Sequence, residues 1–289
     1  MMFLAMIMAL SLQQVLQPGN VLQRDGWLFS WHGLVAKYAP GETLRVVITL
    51  SGIALLAYWA LSSLQGWMFG LLELLLTAGF FVWSLGRDDF HTALERYEAK
   101  IADDPIAAQK ALDALWAPDG TGNTDKSDNA QASTPSSTPP STPPSTPPST
   151  PPSTHPRDFQ RLVYSGYARW FAPLFYFAVG GPLAALLYRA VSELARDNPD
   201  SLYLRLLHWL DWVPARLLGL SFALSGDFMA VSQRTSLALI LDSTSVAQLL
   251  TELASVACNN APGARVLGDI LYRSAGLWLL VLSGVLILG

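Results

Sequence analysis

The chain holds a single cysteine, Cys258, in 289 residues, so no internal disulfide can form and cysteine usage reveals no compartment. Charge is scarce as well. Only 14% of residues are charged, where a soluble domain carries about 25%. The net charge is −4 and no basic cluster occurs, which excludes a surface built to follow nucleic-acid phosphates. Cys258, His32, His91, His155 and His208 show neither CxxC nor HExxH spacing, so no metal and no other cofactor is expected. The first residues lack a Lys or Arg before Arg24 and a small-x-small site before Pro18-Gly19, unlike a cleaved secretory signal. MMFLAMIMALSLQQVLQPG is therefore expected to be a short, uncleaved membrane-embedded helix.

What the chain has instead is apolar length. Apolar residues make up 51%, ten are tryptophan, and the mean hydropathy is +0.32. Val46 to Leu72 is 27 residues without a charge, broken by Ser62-Ser63-Leu64-Gln65-Gly66. That pattern predicts a helical hairpin with spans near Leu44–Leu61 and Trp67–Leu85. Lys37, Arg45, Arg87, Arg96 and Lys100 flank its open ends, which places those ends in the cytoplasm. Trp170 to Tyr188 (WFAPLFYFAVGGPLAALLY) is another uncharged run of 19 residues, long enough to cross a ~30 Å hydrocarbon core. A fourth segment covers about Leu204–Leu224, and a last span runs from Ile270 to the C-terminus. The expected architecture is all-α: a polytopic helical membrane protein with four to five membrane segments plus the short N-terminal helix.

The organisation follows from composition. Residues 1–86 form the N-terminal helix and hairpin, and 87–117 a cytoplasmic helical segment with a start signal at Asp104-Pro105. Residues 118–160 are a Pro/Ser/Thr-rich spacer built on STPP repeats, which cannot form a core. Residues 161–225 are the membrane core. Residues 226–269 offer two amphipathic cytoplasmic helices, the second opened by Ser245 and Gln248 in capping-box spacing before Leu249, Leu250, Leu253 and Val256. Residues 270–289 are the C-terminal span.

Candidate functional residues concentrate between Arg169 and Arg216. Asp211 and Arg216 sit among apolar residues at membrane depth, where an ionisable group costs about 2.5–3.5 kcal/mol and needs a partner or a task. Five residues apart, they do not share a face on a straight helix. Either a bend at Pro214 joins them, or Asp211 pairs with Arg169 or Arg189. Alternatively Arg216 and Arg189 form a cationic pocket for an anionic ligand, such as a muropeptide carboxylate, a phosphate or a lipid head group. Pro173, Gly180, Gly181 and Pro182 serve backbone geometry and close helix contact, or else line a break at a binding site. Arg189 and Arg196 would face outward if Trp170–Tyr188 crossed fully. Either they pair with Glu193 and Asp197, or the segment is a re-entrant hairpin turning at Gly180-Gly181-Pro182. Glu73 and His208 read as bundle-facing and interfacial groups.

FAPLFYFAVGGPLAALLYRAV (Phe171–Val191), LDWVPARL (Leu210–Leu217) and the order of hairpin, loop and last span resemble the AmpE family. The resemblance implies a multi-pass protein of the Gram-negative inner membrane, a regulator in β-lactamase induction and cell-wall stress. Its implied partners are the lipid bilayer and either an anionic cell-wall-derived ligand or a signalling protein. The same motifs also resemble the membrane cobinamide-phosphate synthases, which form an amide with ATP. That family carries a Glu-Asn-x-x-Asp cluster just before Ala-Pro-Leu-Phe, where this chain has Tyr164, Ser165, Gly166, Tyr167 and Ala168. With those carboxylates gone and no phosphate-binding glycine loop in their place, no catalytic residue is expected. A small-solute or muropeptide transporter is the third class the motifs admit.

Overall fold

A computed structural model describes residues 25–64, 70–85, 90–101, 156–198, 201–226, 228–234, 245–258 and 264–288, together with Met6, Met8 and Ala108. The Asp104-Pro105 helix start, the STPP repeats and most of the expected N-terminal helix lie outside the described residues. Among those described, all regular structure is helical: α1 (Gly26–Tyr38), α2 (Glu42–Ser63), α3 (Leu71–Ser84), α4 (Phe90–Ile101) and α5 (Pro156–Gly166). A π-helical turn (Tyr167–Phe171) joins α5 to α6 (Ala172–Asp197), followed by α7 (Leu202–Ser225), α8 (Phe228–Arg234), α9 (Val246–Ala257) and α10 (Ala264–Leu288).

Both helices of the expected hairpin form, but α3 packs mainly against α6 rather than against α2. It starts at Gly70, whose φ of 81° is one that glycine adopts without a Cβ penalty. On the other side of α3, Ala78, Phe81, Val82 and Leu85 join Leu174, Phe177, Ala185 and Met6 in a buried cluster. The start of α7 is tied to α2, since the Leu202 N–H donates to Glu42.

Three prolines shape the core. A proline has no N–H for the carbonyl four residues back, and its ring crowds that carbonyl. Before Pro173 the helix widens into the π turn of Tyr167–Phe171, which relieves the crowding at Arg169. Pro182 follows Gly181, the residue inside α6 with non-helical backbone (φ 72°, ψ −165°). Pro214 leaves α7 unbroken but frees the carbonyl of Leu210, which then accepts the Tyr176 hydroxyl at 2.7 Å.

The break at Gly181 is a reversal. On a straight helix Tyr167 and Tyr188 would stand about 31 Å apart at 1.5 Å per residue. Yet both hydroxyls reach the same Asp211 oxygen, at 3.0 and 2.8 Å. Tyr176 and Tyr188 are stacked with ring centroids 5.0 Å apart, across the glycine. The chain therefore comes in through α5, the π turn and the first part of α6, turns at Gly181, and returns to Asp197. The turn therefore falls at Gly180-Gly181-Pro182, where the hairpin expectation puts it.

The Ser245 side chain caps α9 by accepting from the Gln248 N–H at 3.3 Å, and Leu249, Leu250, Leu253 and Val256 are buried as their spacing predicts. This helix packs on α7 and α5. Meanwhile α10 runs antiparallel to α7, joined by Trp278 Nε1 donating to Ser221 at 2.8 Å and Ser274 to Ser225 at 3.1 Å. Cys258 ends α9 at 4% exposure, and burial pushes its thiol up to about 11. Because the thiolate is the reactive form, maleimide should label the folded chain at pH 7.5 about 100-fold more slowly than an ordinary cysteine. Labelling should become rapid in SDS. Fast labelling of folded protein would mean that the end of α9 is open.

Among the described residues, length and composition qualify two stretches as membrane-crossing, Glu42–Ser63 and Arg157–Asp197, where the sequence suggests four to five segments. The length of the second counts both arms of the reversal. Helix α3 has only 14 residues, and α7 carries Arg205, Asp211 and Arg216.

Candidate functional site

Asp211 is 1% exposed on α7, at the point where both arms of the α6 reversal converge. Tyr164 of α5 donates to Oδ2 at 2.8 Å, and Tyr167 of the π turn and Tyr188 of the returning arm donate to Oδ1. The Tyr167 hydroxyl also lies 3.2 Å from the Asp211 backbone carbonyl. One carboxylate thus joins three chain segments, and the neighbouring Leu210 carbonyl adds Tyr176 as a fourth contact. Asp211 is ion-paired with none of Arg216, Arg169 or Arg189; neutral phenols satisfy it instead.

The arginines serve other partners. Arg189, 4% exposed, places Nη1 at 2.7 Å from Glu193 and Nη2 at 3.2 Å from Asp25, at the start of α1. Arg196 reaches the same Glu193 oxygen at 3.2 Å. The expected pairing of Arg189 and Arg196 with Glu193 therefore forms, while Asp197 accepts from Asn198. On α7, Arg216 Nη1 donates to the Trp212 carbonyl at 3.0 Å and the guanidinium lies 4.1 Å from that indole. Arg169 is buried on the π turn, whose position Pro173 explains. Glu73 is half-buried and His208 is exposed beside Trp209.

This arrangement suits a fixed joint better than a reaction centre. Three hydroxyls converge on the Asp211 carboxylate and the group is shut off from water, which keeps it out of reach of a substrate. Among the described residues no group of three or more His, Cys, Asp or Glu comes together. The residues missed in the sequence are Tyr164, Tyr167, Tyr176 and Tyr188, with Asp25. A signal was available: an orphan acid in an apolar segment needs donors, and tyrosines are donors able to live in an apolar run.

No curated protein and no solved structure matches the chain. Residues 144–267, which contain Asp211, its three tyrosine donors, the reversal at Gly181 and the capped α9, match the family model described as regulatory signalling modulator protein AmpE.

Proposed function

We propose that this chain is a multi-pass inner-membrane protein that modulates β-lactamase induction and the response to cell-wall stress, without catalysis of its own. The observation that carries the reading is the family match over residues 144–267, the same residues that build the Asp211 joint. Exposed apolar faces support the membrane part. On α2, Leu55, Tyr58 and Trp59 are 67%, 64% and 70% exposed, and on α7 Trp209, Val213, Leu220 and Leu224 form an outward stripe. Exposed patches of this kind mark contact with lipid or another protein. Four to five membrane segments follow if α3, α7 and α10 join the two long stretches in the bilayer. In this reading Arg216, half-buried beside Trp212 on α7, meets an anionic cell-wall fragment or a signalling protein.

The test is a deletion strain of the bacterium that makes the chain, profiled for β-lactamase expression after a sub-inhibitory β-lactam. Induction should change several-fold and return with the wild-type chain. Arg216→Ala, complemented at wild-type membrane levels, should restore it only in part. Normal induction in the deletion strain would defeat the assignment.

A further inference from the structure

A groove of about 630 Å³ runs between α2 and α3, separate from the Asp211 joint. Its α3 wall is Leu72, Leu75, Leu76, Gly79, Phe80 and Trp83, and α2 contributes Ile53, Leu56 and Ala57 opposite. The α3 positions recur at three and four residues, so one face of that helix lines the groove. Gly79 marks the opening: a Cβ built there would meet nothing within 4 Å. From Leu72 to Trp83 the wall is about 16 Å long at 1.5 Å per residue, close to the ~15 Å that one leaflet contributes to a ~30 Å hydrocarbon core.

One end differs from the rest. Trp27 and Trp83 meet there with ring centroids 5.3 Å apart, and Leu186 of the returning arm of α6 completes the wall. Trp83 is 7% exposed and, among the described residues, its indole N–H meets no acceptor. A buried donor is ordinarily paired, so this one asks for an oxygen that the described residues do not provide. The Asp25–Arg189 ion pair fixes the start of α1 on α6 and so holds Trp27 in position. Tryptophan pairs of this kind belong at the depth of lipid carbonyls.

We infer that the groove between α2 and α3 binds one acyl chain of a glycerophospholipid, with its ester carbonyl at the Trp27–Trp83 end. The inference rests on the proposed membrane location, and Leu56, 59% exposed, carries the wall of the groove out to the apolar surface of α2. A single chain matches the groove in length, in its apolar walls and in the need for one acceptor at one end.

The full chain would be reconstituted in phosphatidylethanolamine and phosphatidylglycerol vesicles with a trace of phosphatidylcholine bearing a mid-chain diazirine. After irradiation, labelled residues are located by peptide mass spectrometry. Leu72, Leu76 and Phe80 should be labelled at least five-fold more than the outward α7 residues Val213 and Leu220, which touch only bulk lipid. Gly79→Phe, which projects into open space, should lower groove labelling at least five-fold and leave α7 unchanged. Slow maleimide labelling of Cys258 confirms that the variant is folded, and Gly79→Leu serves if it is not. Labelled α7 with an unlabelled groove would mean that a second copy or the chain's own N-terminal residues cover it, and the inference fails while the membrane location stands. Groove labelling that Gly79→Phe does not reduce also overturns it. No labelling of either helix would overturn the membrane location itself.

Discussion

Replacing Asp211 with alanine is expected to lower the stability of the folded chain by about 2–5 kcal/mol. Two magnitudes bound this figure. Hydrogen bonds between helices in membranes average about 0.6 kcal/mol each, so three phenol bonds give about 2 kcal/mol. Leaving a buried hydroxyl without a partner costs about 1–3 kcal/mol, and here two would be left at once, those of Tyr164 and Tyr188, while Tyr167 keeps the backbone carbonyl of residue 211. Those two hydroxyls come from α5 and the returning arm of α6, so no single side-chain shift can satisfy them both. The alanine variant should melt roughly 5–15 °C lower in detergent, read by tryptophan fluorescence, taking about 2–4 °C per kcal/mol for a chain of this size. Asp211→Asn keeps one acceptor oxygen and should fall about midway. Tyr164→Phe removes one bond of the three and should cost about 1 kcal/mol. An alanine variant melting within a degree of the wild type would mean that the tyrosines do not rely on this carboxylate.

How much could be read from the residues alone depends on how local the cause is. The cap of α9 is decided by Ser245 and the N–H of Gln248, three positions away, and its buried face follows from helical spacing; both are local, and both appear as expected. The apolar runs likewise locate α2, α3, α7 and α10, because hydrophobic length needs no knowledge of neighbours. The partners of Asp211 are another matter. They lie 23 to 47 residues away in sequence, on segments that meet only because the chain turns back at Gly181. Considering opposite charge on the same helix points to Arg216 and overlooks neutral donors brought in by folding. Pro214 illustrates the same limit: its sequence position suggests a bend, whereas its effect is to leave the Leu210 carbonyl for Tyr176. A missing hydrogen bond can be foreseen from a proline, but not which of its consequences, bend or new partner, the packing selects.

The second large effect is expected at Gly181. Its φ of 72° with ψ of −165° falls in a region that is essentially restricted to glycine. Alanine there should cost about 1–3 kcal/mol from backbone strain alone. The total should be larger, because the alternative open to the chain is to relax toward a continuous helix. That would carry Tyr188 about 31 Å along the axis from Tyr167 and break its bond to Asp211 together with its stacking on Tyr176. Gly181→Ala should therefore yield little folded protein, with Cys258 labelled rapidly in what remains as α9 loses its packing on α7. Gly79→Ala provides the contrast: that glycine lies inside a helix facing open space, and alanine there should raise stability by up to about 1 kcal/mol. If Gly181→Ala instead melts with the wild type and keeps Cys258 protected, residue 181 is not where the chain reverses, and the convergence of three tyrosines on Asp211 needs another cause.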